Sequence, residues 1–354
     1  MLQTLLDGAL QTEHEIALVF LEPGPWANEL AEAGFAVDVI AAGRLREPHH
    51  YVGSVMRLAR ILRRRRPDVI LNWSAKTQLY GAPAAVFAGM ASRVVWWQHD
   101  IPARRGINLA ATALPARAIG CTSHSAARAQ ARLYPRRATF VVHAGVAVPQ
   151  APAPTPSLTL PQGALVVGMV GRLQPWKGQD RLLRAHAILR ERGHAVHTLI
   201  VGGDSGGLSP GYAASLPLLI AELGLANEVT MTGEVPEAGP YIERMDVVVN
   251  ASDPEPFGIV LLEAMSRGVA VVAVDAGGPR ELIEHERTGM LARSGDPGDL
   301  ADALEPLLAD AGRRHAIADA GRMRFAADLT DVAMRRRFFK ALQGLLEDSA
   351  SLPR

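Results

Sequence analysis

Two glutamates, Glu255 and Glu263, stand with seven residues between them in the stretch Ser252-Asp-Pro-Glu-Pro-Phe-Gly-Ile-Val-Leu-Leu-Glu263. Pro256 follows Glu255 and holds its backbone extended, so the first carboxylate belongs to a loop. The second falls on the helix expected from about Ile259. Gly258 has no side chain, so a ligand can approach the backbone there. The amides of Phe257, Gly258 and Ile259 are then the unpaired donors of a helix N-terminus, a seat for an anion. An acid, an anion seat and a second acid further on suit a ligand with hydroxyls at both ends and phosphate between. A nucleotide sugar has that form.

Earlier in the same half, Gly171-Arg-Leu-Gln-Pro-Trp-Lys-Gly178 follows an apolar run. Arg172 and Lys177 could grip a diphosphate there, one through a planar fork and the other as a point charge. By themselves they suit a solvated loop as well. In the first half, His99 ends the run Trp-Trp-Gln-His and is followed by an acid, Asp100. A lone histidine more often reads as a satisfied structural group. Arg63, Arg64, Arg65 and Arg66 end a basic helix. They read either as cations complementing a helix C-terminus or as a patch for an anionic lipid or acceptor. Arg104 and Arg105 could serve an acceptor in the same way. These basic residues are not interleaved with stacking aromatics, which speaks against nucleic acid.

Other signals carry less. Gly203-Asp204-Ser205-Gly206-Gly207 repeats a serine-protease motif but follows a strand-like run, and reads as a turn. His194 and His197 are three apart, with nothing to complete a metal set. Asp-x-Asp, the common seat for a metal-bound diphosphate, does not occur. No metal and no cofactor are expected.

The elements that must position these residues alternate between short β-rich runs and helical patterns, which argues an α/β chain with parallel sheets. Strands are expected near 15–21, 36–40, 68–72, 93–97, 118–121 and 139–142. A second set is expected near 165–170, 196–202, 229–232, 246–250, 270–274 and 289–292. Helices fill the intervals, among them 52–65, 180–192 and 259–267, and the C-terminus from 297 on. Prolines crowd residues 149–161, which reads as a linker. The expected domains are 1–150, a linker at 151–162, a second domain at 163–328 and a C-terminal helix at 329–354. Residues 1–10 show the leucine spacing of an amphipathic helix, where a Rossmann-like domain normally opens with a strand and a Gly-rich turn. The expectation is that the first strand is missing and that the chain as given begins late.

Composition fits an enzyme of two domains: 354 residues, 48% hydrophobic and 21% charged. The single cysteine, Cys121, excludes an intramolecular disulfide and a thiolate metal cluster. Residues 1–150 hold 17 Lys and Arg against 10 Asp and Glu, while the remainder is acidic. That asymmetry suggests an anionic partner for the first half. No apolar run approaches the roughly 18 residues of a membrane span. The first 15 residues lack the form of a secretion signal. The expected location is the cytoplasm, with peripheral contact at the inner face of an anionic membrane as an option.

Taken together, GRLxxxKG, E-P-F-G with its second glutamate, GGPRE (277–281) and TGML (288–291) resemble the retaining GT-B glycosyltransferases of the family 4 type, the glycosyl transferases group 1. The likeness is specific over 165–292. It is looser over 12–150, where WWQHDIP (96–102), SAKTQLYGAPAA (74–85) and TSHSAA (122–127) fit. It implies two Rossmann-like doubly wound domains facing across a cleft, with the last helix packing back on the first domain. It implies a retaining, metal-independent transfer from a nucleoside diphosphate sugar to an acceptor hydroxyl, in glycan, glycolipid or cell-surface polysaccharide synthesis. By resemblance, Glu263 binds the donor ribose, Arg172 and Lys177 neutralise the pyrophosphate, and Glu255 touches the transferred sugar. Phe257, Gly258 and Ile259 offer amides to the sugar and phosphate, and His99 lies near the sugar from the other domain. The rival readings are a non-catalytic or inactive nucleotide-sugar-binding protein and a GT-B nucleotide-sugar epimerase. A NAD-dependent dehydrogenase ranks far lower, since no strand leads into G-x-G-x-x-G.

Overall fold

A computed structural model describes residues 1–7, 9, 14–43, 47–104, 106–151, 156, 158–161, 163–204 and 206–350. The chain forms two compact units, Met1–His143 with Met334–Arg354, and Ala144–Ala333. The boundaries fall at 143 and 333 rather than at 150 and 328, and the reason is local. Val146 pairs with Thr330, and Asp331 donates its amide to the Val146 carbonyl at 2.9 Å. A Cβ on Gly145 would lie 2.2 Å from the Thr330 carbonyl oxygen, so only glycine permits this approach. Much of the expected linker (152–155, 157 and 162) lies outside the described residues.

The first unit holds the strands β1 (Ala17–Phe20), β2 (Ala36–Val39), β3 (Ile70–Asn72), β4 (Val94–Gln98), β5 (Ala118–Cys121) and β6 (Ala138–Val141). β1 and β2 form one parallel pair, and β3-β4-β5-β6 form a separate parallel sheet. Among the described residues no strand joins the two. Leu2–Leu6 is a helix, and its Leu6 packs with Leu30 and Phe35. β4, Val-Val-Trp-Trp-Gln, is buried along its whole length, as a strand covered on both faces must be. Trp97 stacks on Trp73, their centroids 5.5 Å apart, and Phe338 lies tilted to Trp97 at 5.3 Å. Phe338 belongs to the helix Asp331–Ala350, which this unit holds from Met334 onward.

The second unit holds β7 (Leu165–Val170), β8 (Val196–Val201), β9 (Val229–Met231), β10 (Val247–Asn250), β11 (Ala270–Val274) and β12 (Met290–Ala292). They make one six-stranded parallel sheet in the order β12-β11-β10-β7-β8-β9. The core on one face joins Val167, Met169, Val249 and Val272 to Leu182, Leu300 and Leu304 of the helices Gln179–Glu191 and Pro297–Ala309. Farther along the same face, where Ile200 lies beside Met169, Ile200 packs with Leu183, Leu216 and Leu219. Asp246, expected within a strand, instead turns its carboxylate to the Val166 amide at 2.8 Å.

Candidate functional site

β7 and β10 lie side by side, Val247 against Val167. After β7 the chain crosses to β8 on one flank, and after β10 it crosses to β11 on the other. Loops that leave neighbouring strands in opposite directions open a crevice at the carboxyl ends, the usual ligand site of such sheets. Arg172 and Lys177 stand on the loop after β7, and Glu255 stands on the loop after β10.

The two loops are locked together. Asp253 donates its amide to the Trp176 carbonyl at 3.1 Å. Gly178 has φ +81°, and a Cβ there would sit 2.6 Å from the Ala251 carbonyl, so glycine is required on both counts. Glu255 is extended, as the following proline demands. Its amide donates to Ala276 at 3.2 Å and its carbonyl accepts from Gly278 at 2.8 Å. The Gly-Gly of 277–278 thereby backs the loop.

Lys177 Nζ donates to Glu255 Oε2 at 2.8 Å, and Asn250 Nδ2 donates to the same oxygen at 3.3 Å. Both members of the ion pair are largely buried, the carboxylate side chain only 9% exposed. The cation and the first acid, read from sequence as serving two parts of a ligand, thus share one contact. Gly258, with φ +101°, is the N-cap of the helix Ile259–Ser266. The amides of Gly258 and Ile259 have no partner among the described residues. Phe257 is buried. Glu263 lies on the helix, and burial pushes its carboxyl above the usual range, with Arg267 opposing in part. Its carboxylate has no hydrogen-bond partner among the described residues. Ser252, between the strand and Glu255, is 1% exposed with an unpartnered hydroxyl. The arrangement offers an ammonium, a carboxylate, two backbone donors and a half-buried acceptor along one edge of the sheet.

Arg172 is exposed, and its guanidinium has no described partner. Its carbonyl is held by Gln179 Nε2 at 2.9 Å. Tyr212 donates to Asp180 Oδ1 at 2.6 Å and accepts from the Asp180 amide, fixing the start of the next helix. Burial and the Asp180 carboxylate raise its phenol well above the ordinary value. Sequence reasoning missed Asn250, Gln179, Trp176 and Tyr212. The signal for Asn250 was available: a polar residue closing the all-apolar run of a buried strand.

In the first unit, His99 follows β4. Its Nε2 lies 2.7 Å from the Trp73 carbonyl oxygen. A carbonyl only accepts, so Nε2 carries the proton and Nδ1 is the acceptor of a neutral ring. Burial lowers its pKa, which keeps the ring neutral at pH 7. Gln98, buried beneath, accepts from the Asp100 amide at 3.0 Å and shapes the turn.

The basic helix end is mostly occupied by the protein itself. Arg64 and Arg65 both pair with Asp38, at 3.1 and 2.7 Å, and Arg63 donates to the Phe87 carbonyl. The run therefore serves largely as helix-end and strand ties, and the patch reading keeps only Arg66, which is exposed. Arg104 is exposed, and Arg105 lies outside the described residues. His194 turns to Glu305 and His197 to Thr230, so the two histidines diverge. Asp204 accepts from the Ser209 amide, as a turn would, and Ser205 lies outside the described residues. Burial pushes the Cys121 thiol up to about 12. No helix of the described residues is long and apolar enough to cross a membrane.

The second unit also decides the likeness to known proteins. Residues 155–324 match the family model described as Glycosyl transferases group 1. The matched stretch contains every second-unit site residue named above. The chain is 42% identical over 161 residues to the D-inositol 3-phosphate glycosyltransferase of Nocardia farcinica, covering 44% of this chain and 35% of that protein. It is 40% identical over 181 residues to that of Stackebrandtia nassauensis, covering 49% and 40%. The matched part thus spans well under half the length of these curated relatives. Among solved structures, HepE of Anabaena in complex with UDP and glucose matches 96% of this chain and 95% of its own, with 25% identity and a TM-score of 0.79. The fold is that of the GT-B glycosyltransferases, with two Rossmann-like units, and the stretch matched by the group 1 model lies in the second.

Proposed function

We propose that this chain is a glycosyltransferase that takes a nucleoside diphosphate sugar in its group 1 domain and passes the sugar to an acceptor hydroxyl, with retention of configuration and without a metal. The observation that carries the reading is the Lys177–Glu255 pair at the switch between β7 and β10, beside the open amides of Gly258 and Ile259 and the unpartnered Glu263. Glu263 accepts from the ribose hydroxyls. Lys177, Arg172 and the two amides meet the diphosphate. Glu255 meets the sugar.

As the bond from the anomeric carbon to the phosphate oxygen breaks, negative charge grows on the leaving diphosphate. Fixed cations and helix-terminal amides stabilise that charge more than they stabilise the bound donor. The acceptor oxygen bonds to the same face of the anomeric carbon, and its proton passes to the leaving phosphate. The neutral His99 offers Nδ1 to a sugar hydroxyl. The names of the relatives and the HepE complex make UDP-sugars the first donors to try and cyclitol phosphates or sugars the first acceptors. A role in glycan, glycolipid or cell-surface polysaccharide synthesis and a cytoplasmic location, with peripheral membrane contact through Arg66 and Arg104, go with this reading.

The test incubates the protein with UDP-, GDP- and ADP-sugars and these acceptors, with and without EDTA. Release of nucleoside diphosphate and the anomeric configuration of the product are followed by NMR. Acceptor-dependent, EDTA-resistant release with a retained anomer is expected. Donor binding with no turnover across the panel refutes the transferase reading, and donor conversion without acceptor points to an epimerase.

A further inference from the structure

Trp176 precedes Lys177 and is 36% exposed, at the edge of a site otherwise built of small and polar groups. It is nonetheless held in place. Its indole N–H donates to Gln174 Oε1 at 2.9 Å, and its carbonyl accepts from Asp253 at 3.1 Å. Its ring faces the Lys177 ammonium, 4.1 Å from nitrogen to centroid. An ammonium has three N–H donors. One reaches Glu255, the indole face covers a second side, and no further partner appears among the described residues. A lysine on a four-carbon stem would otherwise sample many rotamers and lose that freedom when an anion binds. Bracketed between carboxylate and ring, this one is already placed, with its remaining donor open.

We propose that Trp176 is a positioning residue, holding the Lys177 ammonium by a cation–π contact so that it meets the donor's diphosphate without rearranging. The proposal rests on the reading of Lys177 as the cation that meets the diphosphate. It also supplies its own probe. The other four tryptophans, Trp26, Trp73, Trp96 and Trp97, lie in the first unit, so Trp176 is the second unit's own fluorophore.

The experiment titrates the full chain with UDP, and with GDP and ADP where UDP does not bind, by calorimetry and intrinsic fluorescence. UDP should change the emission of the wild type, and Trp176→Phe should abolish that change while keeping the affinity within about 3-fold. Trp176→Leu should bind UDP roughly 3- to 30-fold more weakly, with an unfolding midpoint close to the wild type's. In a Lys177→Met background, Trp176→Leu should cost nothing further, because the contact it removes is already gone. An unchanged affinity in Trp176→Leu overturns the proposal. So does an undiminished loss in the Lys177→Met background, which would mean that the indole acts on the ligand directly. A wild type that binds UDP with no change in emission overturns it too. A wild type that binds none of the three nucleotides overturns the donor-site reading and this proposal with it.

Discussion

Lys177 and Glu255, 78 positions apart, are joined by a 2.8 Å hydrogen bond between the loops of two neighbouring strands. The carboxylate takes one of the ammonium's three donors and tempers its charge before any ligand arrives. Glu255→Gln should therefore release Lys177 toward phosphate. A hydrogen bond to a charged partner is stronger than one to a neutral partner by about 1 kcal/mol, so free UDP should bind roughly fivefold tighter. Sugar transfer should fall in the same variant, since the sugar loses its carboxylate. Calorimetry and turnover measured side by side test this, and a weaker UDP complex would count against it.

Removing the other partner should be more harmful. Lys177→Ala leaves a mostly buried carboxylate with only the Asn250 amide as a side-chain donor among the described residues. About 3 kcal/mol of stability should go with it, read from denaturant unfolding. The transfer rate should fall by about 10²–10³ where the protein remains folded, as on removing one oxyanion donor.

Glu263 behaves differently because no hydrogen-bond partner among the described residues holds its carboxylate. Its carboxyl is raised by burial, so the folded state favours the protonated form. The stability this contributes is fully present below the ordinary carboxyl pKa and is lost as pH rises through the raised value. Glu263→Gln should thus melt no lower than the wild type at pH 7, and the gap should close as pH is lowered toward 4. The same variant should bind a nucleoside diphosphate about 10-fold or more weakly, having lost a charged acceptor for the ribose. Unchanged affinity would remove Glu263 from the site.

His99 and His197 both have pKa values lowered by burial. For such groups the stability is present above the ordinary value near 6.5 and is lost as pH falls through the lowered one. The melting temperature should decline between pH 7.5 and 5.5. A His99→Gln, His197→Gln double variant should flatten that decline, and an unaltered slope would show that other groups set it.

On the basic helix, Arg65→Ala should destabilise more than Arg66→Ala, because Arg65 bonds Asp38 and Arg66 does not. The expected cost for this partly exposed pair is about 0.5–1 kcal/mol, against about zero for Arg66. Equal costs would mean that the Asp38 contact contributes nothing in solution.

Much of the second unit was legible because strands buried on both faces read as apolar runs. Leu165–Val170 and Ala270–Val274 were expected at the bounds they have. The start of the basic helix was less clear. It opens at Pro48, four residues before the expected 52, because proline's fixed φ suits the first helical turn although the run His49-His50-Tyr51 shows no apolar period. The doubling of the first unit's sheet into β1-β2 and β3-β6 was not legible, since periodicity names strands without naming their neighbours.

The sequence by itself determined the candidate residues and their local setting: Arg172, Lys177, Glu255, Gly258 and Glu263, each placed on a loop or helix by its local proline, glycine or apolar pattern. Tertiary structure decided how those residues are engaged. It brought Lys177 onto Glu255, laid Trp176 against the same ammonium, left the Glu263 carboxylate without a hydrogen-bond partner among the described residues, and paired Arg64 and Arg65 with Asp38. The physical reason is range. Backbone preference and hydrophobic period act over a few residues, whereas the charge environment of a side chain is set by the strand order that brings distant loops together.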